Sequence, residues 1–100
     1  MSSEAARRYL VAYDITDDRR RTRIARCLHE YGDRVQYSVF VVDIRPARLV
    51  RLRTLLEGLI DERSDSLLLC DLGPVATIDH RRFEFLGCSA EITSRGPIVL

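Results

Sequence analysis

The sequence has no lysine, so all 16 of its basic residues are arginine. A GC-rich genome explains most of that choice. Its chemical consequence is that every basic side chain is permanently charged and able to grip a phosphate through two parallel hydrogen bonds. The chain has three cysteines, an odd count without C-x-x-C spacing, and only His29 and His80 beside them. That excludes a disulfide framework and a zinc site, and reads as reduced, mostly buried thiols. No glycine-rich phosphate loop, internal repeat or low-complexity stretch is present. Long apolar runs are missing too: Arg7 and Arg8 precede only five apolar residues before Asp14. This is too short for a signal peptide, no run reaches a membrane span, and a cytoplasmic protein is expected.

What is present suits one domain over residues 1–100, with 46% hydrophobic residues for a core. Formal net charge is only +1, yet the charge is segregated. Residues 19–34 hold six arginines against Glu30 and Asp33, and residues 45–53 hold four with no acid. The acids gather at Asp14, Asp17 and Asp18 and at Glu57, Asp61, Glu62 and Asp65. Local basic patches on a nearly neutral surface follow.

Residues 1–7 are polar and expected to be flexible. Residues 9–13 read as a central strand ending at Asp14. Thr16, Asp17 and Asp18 offer helix caps, and Ile24, Cys27, Leu28 and Tyr31 repeat at helical spacing, which predicts a helix over 18–31 stopped by Gly32. Arg19, Arg23 and Arg26 form a stripe on its other side. The segment 34–43 alternates as one long strand, with Val35, Tyr37, Val39 and Val41 on one face and Gln36, Ser38, Phe40 and Val42 on the other. Pro46 opens a second helix carrying Leu49, Leu52, Leu56 and Leu59 inward and Arg45, Arg48 and Arg51 on another face. Residues 66–72 read as a buried strand broken at Gly73-Pro74, residues 75–81 as a helical turn, and residues 83–86 as a further strand. The four tyrosines are expected in the core and both histidines at the surface. The pattern predicts an α+β, ferredoxin-like βαββαβ sandwich with both helices on one face of an antiparallel sheet. Its other face then needs a cover, and a second copy of the chain is the economical one.

Asp14 is the candidate reactive group. Asp17 and Asp18 are better placed to cap the helix, leaving Asp14 free at a strand end. One carboxylate is too little for a catalytic Mg²⁺, but a two-fold axis supplies Asp14 twice, and the repulsion between the pair is a physical motive for a shared cation. Ser38 lacks a His–Asp pair, so a serine nucleophile is not expected. The two arginine groups, doubled in a dimer, would form a band for phosphate backbone.

The segment 13–25, continued by Gly32-Asp33-Arg34-Val35-Gln36-Tyr37-Ser38-Val39-Phe40, resembles the opening half of CRISPR-associated protein two. The likeness is strong over residues 8–44 and one of length and pattern beyond. It implies a homodimer, with the two Asp14 facing each other around Mg²⁺. It also implies roles in activity, or in shaping that site, for Arg21, Arg23, Arg34, Ser38 and Phe40. Within the tail 88–100, the apolar end at 97–100 suits exchange onto the partner's sheet. Three functions stay open. One is a metal-dependent endonuclease acting on RNA or double-stranded DNA. The second is a structural adaptor that binds duplex DNA through Arg19, Arg23, Arg26, Arg45, Arg48 and Arg51 together with the CRISPR integrase. The third is a regulatory module with no nucleic-acid role.

Overall fold

The computed structural model describes residues 5–88. The expected exchange strand at 97–100 and residues 1–4 lie outside them. The elements run β1 (Arg7–Asp14), α1 (Asp18–His29), β2 (Gly32–Gln36), β3 (Val39–Ile44), α2 (Pro46–Leu59) and β4 (Ser66–Pro74), followed by two short 3₁₀ turns, Val75–Thr77 and His80–Arg82. The sheet is antiparallel throughout, in the order β2-β3-β1-β4. This is the ferredoxin-like α+β arrangement.

Local chemistry accounts for the helices. Asp17 is the N-cap of α1, its carboxylate accepting the Arg20 backbone N–H at 2.9 Å. Pro46 opens α2, where its missing N–H costs nothing. Ile24 and Leu28 of α1 and Leu49, Leu52 and Leu56 of α2 are buried against Tyr9, Val11 and Tyr13 of β1 and Phe40, Val42 and Ile44 of β3. The helical spacing thus marks the inward faces, and both helices cover one side of the sheet.

Three strand expectations are corrected. The strand read as buried over 66–72 is β4 at the edge of the sheet, which runs on through Gly73 to Pro74 and has no buried residue, because only one of its sides has a neighbouring strand. The segment 34–43 is a hairpin, reversing at Tyr37 and Ser38, with Gln36 opposite Val39 and Arg34 opposite Phe40. Val35 is the extra residue of a bulge between those pairs. The turn holds no Gly, Asn, Asp or Pro, and its Ser38 is a weaker turn former, so little in its composition announces it. Residues 83–86 form no strand. Phe83 and Phe85 instead pack on Val35, Val39 and Val41, on the sheet face that carries no helix, so the chain covers part of that face itself. Gly32 permits the tight start of β2: a β-carbon there would sit 2.1 Å from the Val41 carbonyl oxygen.

Under Phe83 lies an ion pair absent from the sequence reading. The guanidinium of Arg8 donates to both carboxylate oxygens of Asp43 at 2.6 and 2.8 Å, with side chains 2% and 0% exposed. Phe83 stands over the guanidinium at 5.8 Å, and Nη1 of Arg8 is buried with no partner among the described residues. Such a pair stabilises little against an apolar replacement but punishes loss of one member. Asp43→Ala is expected to lower unfolding free energy by about 3–5 kcal/mol, whereas the double change Arg8→Met, Asp43→Leu should be far milder. Urea titrations of both variants check this. A single variant that loses under ~1 kcal/mol would show the pair to be solvated in solution.

Cysteine burial also differs from expectation: Cys27 is half-buried, and Cys70 and Cys88 are exposed. Cys70 sits on β4, on the face without helices, and Cys88 follows the last turn. Burial, with Glu30 adding to it, raises the Cys27 thiol above its ordinary range. No described helix is long and apolar enough to cross a membrane.

Candidate functional site

Asp14 closes β1. It pairs in register with Ser66 of β4, and the preceding residue, Tyr13, donates its N–H to the Ser38 carbonyl at 3.1 Å. Strand alternation puts Asp14 with Leu10 and Ala12, away from the helices. Its carboxylate is exposed and makes no hydrogen bond or ion pair among the described residues, because Asp17 has taken the capping position. Among those residues no three His, Cys, Asp or Glu side chains cluster as metal ligands, so they do not by themselves build a cation site around Asp14.

The other residues singled out from sequence fall in three places. Arg21 is engaged with the loop after Asp14: it donates to the carbonyls of Ile15 at 2.8 Å and Thr16 at 3.4 Å and pairs with Asp18. The Asp18 contact holds its guanidinium above the ordinary arginine range. Arg21 therefore positions that loop and has few donors left for a substrate. Ser38 contributes its backbone carbonyl at the hairpin turn. Phe40 is fully buried and cannot meet a substrate. Its ring is a platform, with the Arg34 guanidinium above it at 5.3 Å, the His29 ring edge-on at 4.9 Å and Tyr13 stacked at 6.3 Å. Arg34 and Phe40 thus lie on the helix side, opposite Asp14. A single chain does not bring the set into one site.

The basic stripes are as exposed as their spacing predicts. Arg19, Arg23 and Arg26 on α1, Arg45 at the N-cap of α2 and Arg48 and Arg51 within it are all exposed, and none of their side chains forms an ion pair or hydrogen bond among the described residues. Arg48 stands 5.1 Å from the ring of Tyr31, which brings the start of α2 beside the end of α1. Since both helices share one face of the sheet, the six guanidinia belong to one side of the molecule.

Sequence reasoning missed two features. The first is a cleft of about 300 Å³ between α1 and the β2–β3 turn, lined by Arg21, Thr22, Ala25, Arg26, His29, Arg34 and Tyr37. The spacing of Thr22, Arg26 and His29 on one helical stripe could have signalled it. Tyr37, expected in the core, is 72% exposed there. The second is the Arg20–Asp65 pair, 2.7 Å apart, with Asp65 fully covered; it ties the start of α1 to the loop that leads into β4 and so to Ser66 opposite Asp14. The Arg20 hydrogen bond, helped by the Asp61 N–H, holds the Asp65 carboxyl below its ordinary 3.8. A carboxyl with a lowered folded pKa stabilises the fold above its unfolded value and loses that contribution as pH falls through the folded one. Asp65→Asn is therefore expected to be less stable than the parent at neutral pH, the gap closing as pH falls below the ordinary carboxylate range. Thermal melts across pH check this, and a gap that widens in acid would contradict it.

Comparison with known proteins follows the same lines. The family model described as CRISPR associated protein Cas2 matches residues 7–75. The chain is 36% identical over 98 residues to CRISPR-associated endoribonuclease Cas2 1 of Rhodospirillum rubrum, covering 98% of this chain and 95% of that protein. It is 41% identical over 96 residues to Cas2 3 of the same organism, covering 91% and 98%. Among solved structures, Streptococcus pyogenes Cas2 at pH 6.5 superposes with a TM-score of 0.68 at 32% identity, over 80% of this chain and 99% of that one. The hypothetical protein TT1823 from Thermus thermophilus gives 0.72 at 39% identity, over 87% and 98%.

Proposed function

The chain belongs to the family of CRISPR-associated protein Cas2, and we propose that its main work is to bind duplex DNA as a dimeric adaptor beside the CRISPR integrase. The observation that carries this is the arginine surface: six exposed guanidinia on one side of the sheet, none neutralised by a neighbouring acid among the described residues. Unpaired guanidinia at that density suit phosphate oxygens, which they meet without first breaking internal bonds. The part of the helix-free face that Phe83 and Phe85 leave open, with Leu68 56% exposed near Asp14, supports a second copy as its cover. Titration of duplex DNA over a range of salt tests the reading. A steep linear fall of log affinity with log salt is expected, and a flat response would overturn it.

A second activity rests on Asp14. Relatives of this chain are named endoribonucleases, and Asp14 is an exposed carboxylate without a structural duty. One chain does not make a Mg²⁺ site; two copies placing Asp14 face to face would, with waters and a phosphate oxygen completing the shell. Bound there, the ion would polarise the phosphodiester and lower the pKa of an attacking water. The chain's own part is to aim Asp14: Arg21 fixes the loop that follows it, and the Tyr13–Ser38 bond and the Ser66 pairing fix the strand end before it.

A further inference from the structure

We infer that the cleft between α1 and the β2–β3 turn holds one unstacked nucleotide at a single-stranded end of nucleic acid, its phosphate against Arg26 and Arg34 and its base on Tyr37. This rests on the reading that the chain binds nucleic acid, and adds which form of it is preferred. Among the described residues no carboxylate lines the cleft, so the charge of Arg26 and Arg34 is not cancelled from its walls. Arg26 and Arg34 carry no side-chain ion pair or hydrogen bond among the described residues, while Arg21, bonded to the Ile15 and Thr16 carbonyls and paired with Asp18, forms a fixed wall whose charge Asp18 offsets. The floor is rigid, because Arg34 and His29 both rest on the fully buried ring of Phe40. At about 300 Å³ the space is at the lower end of small-ligand pockets, roughly 300–1,000 Å³, and larger than a bare phosphate needs.

Tyr37 selects the ligand. It is 72% exposed at the tip of a hairpin, where burial gives no reason for an aromatic. The Arg21 guanidinium lies 6.0 Å from its ring. An exposed ring backed by a cation is a stacking surface for a base. A base inside a duplex is already stacked and cannot use it, whereas a base at a frayed or single-stranded end can. The cleft is also separate from Asp14, which lies on the other face of the sheet.

The test compares three probes by fluorescence anisotropy: a blunt duplex, the same duplex with single-stranded overhangs, and the overhang strand alone. The full-length protein is expected to bind the overhanging duplex about tenfold more tightly than the blunt one, in keeping with one stacked base. Tyr37→Phe should keep that advantage. Tyr37→Ala should lose it while holding blunt-duplex affinity within about twofold, since Tyr37 lies in an exposed turn. Arg34→Gln should lose it as well. No advantage in the parent protein, or one that survives Tyr37→Ala, overturns the pocket. Adenosine monophosphate serves as competitor: saturation at a lower concentration than the overhang strand overturns the assignment to a strand end and makes the cleft a free-nucleotide site. If the blunt duplex fails to bind at all, the adaptor reading falls; the pocket is then judged on the single strand, whose binding must still weaken in Tyr37→Ala.

Discussion

Asp14→Asn is expected to reduce Mg²⁺-dependent cleavage of RNA at least about a hundredfold while leaving affinity for the same RNA within about twofold. The size follows from what an isosteric amide removes: each copy loses the one carboxylate it would offer, so a shared ion would meet neither anionic charge at the point where several kcal/mol of transition-state stabilisation would be supplied. Binding is spared because Asp14 sits at a strand end on the face away from the helices, while the six exposed arginines lie on the helix side. The variant should fold normally, since its carboxylate supports no hydrogen bond or ion pair among the described residues. A second readout separates a metal role from a structural one. Mg²⁺ should raise the melting temperature of the parent in proportion to its saturation and leave that of Asp14→Asn unchanged. Without Mg²⁺ the variant dimer should melt no lower than the parent, because two facing carboxylates repel and two amides do not. Cleavage of equal rate in both proteins would remove Asp14 from the chemistry; a lower melting temperature for the variant in chelator would make it a structural residue.

The helices were legible, apart from the end of α1 at His29 two residues before the expected Tyr31, because each carries its own punctuation: Asp17 and Pro46 at the starts, apolar residues at helical spacing within, arginines outside. The free state of Asp14 could also be read, since two better caps follow it. What the sequence hid depends on residues meeting at long range or on silent turns. Reversal at Tyr37-Ser38 carries only the weak turn signal of one serine within a β-branched and aromatic run, so a hairpin passed for one strand, and the outward position of Tyr37 passed with it. The Arg8–Asp43 pair joins residues 35 apart, and pattern alone assigns no partner to a buried charge. Phe40 shows the converse problem: family likeness associates it with activity, whereas its packing shows a fully buried ring that carries Arg34 and His29. Arg21 likewise reads as a charge near a reactive centre, yet its donors are spent on the Ile15 and Thr16 carbonyls.

Replacing Arg19, Arg23, Arg26, Arg45, Arg48 and Arg51 together by Gln is expected to weaken duplex binding at least about a hundredfold at low salt. Gln matches Arg closely in helix propensity, so both helices should persist. None of the six side chains forms an ion pair or hydrogen bond among the described residues, and exposed substitutions away from such features usually cost within about 0.5 kcal/mol. The loss is electrostatic and should show as slope as well as affinity. Each guanidinium that neutralises a phosphate releases counterions and contributes about 0.9 to the fall of log affinity with log salt. If all six touch backbone, the slope should flatten by about five per copy, and each stripe replaced alone by about half of that. Removing six positive charges from a chain of formal net charge +1 also leaves it acidic, so an effect of net charge must be separated from one of contact. Replacing Arg63, Arg81 and Arg82, exposed beyond both helices, is the control: it lowers net charge without touching the stripes. A control as damaging as a single three-arginine stripe would reduce the proposed interface to bulk attraction, whereas slope lost only with the stripes would place the duplex along α1 and α2. Asp14→Asn should keep its slope throughout, because the face proposed to hold DNA and the end that would hold Mg²⁺ are different surfaces of one sheet.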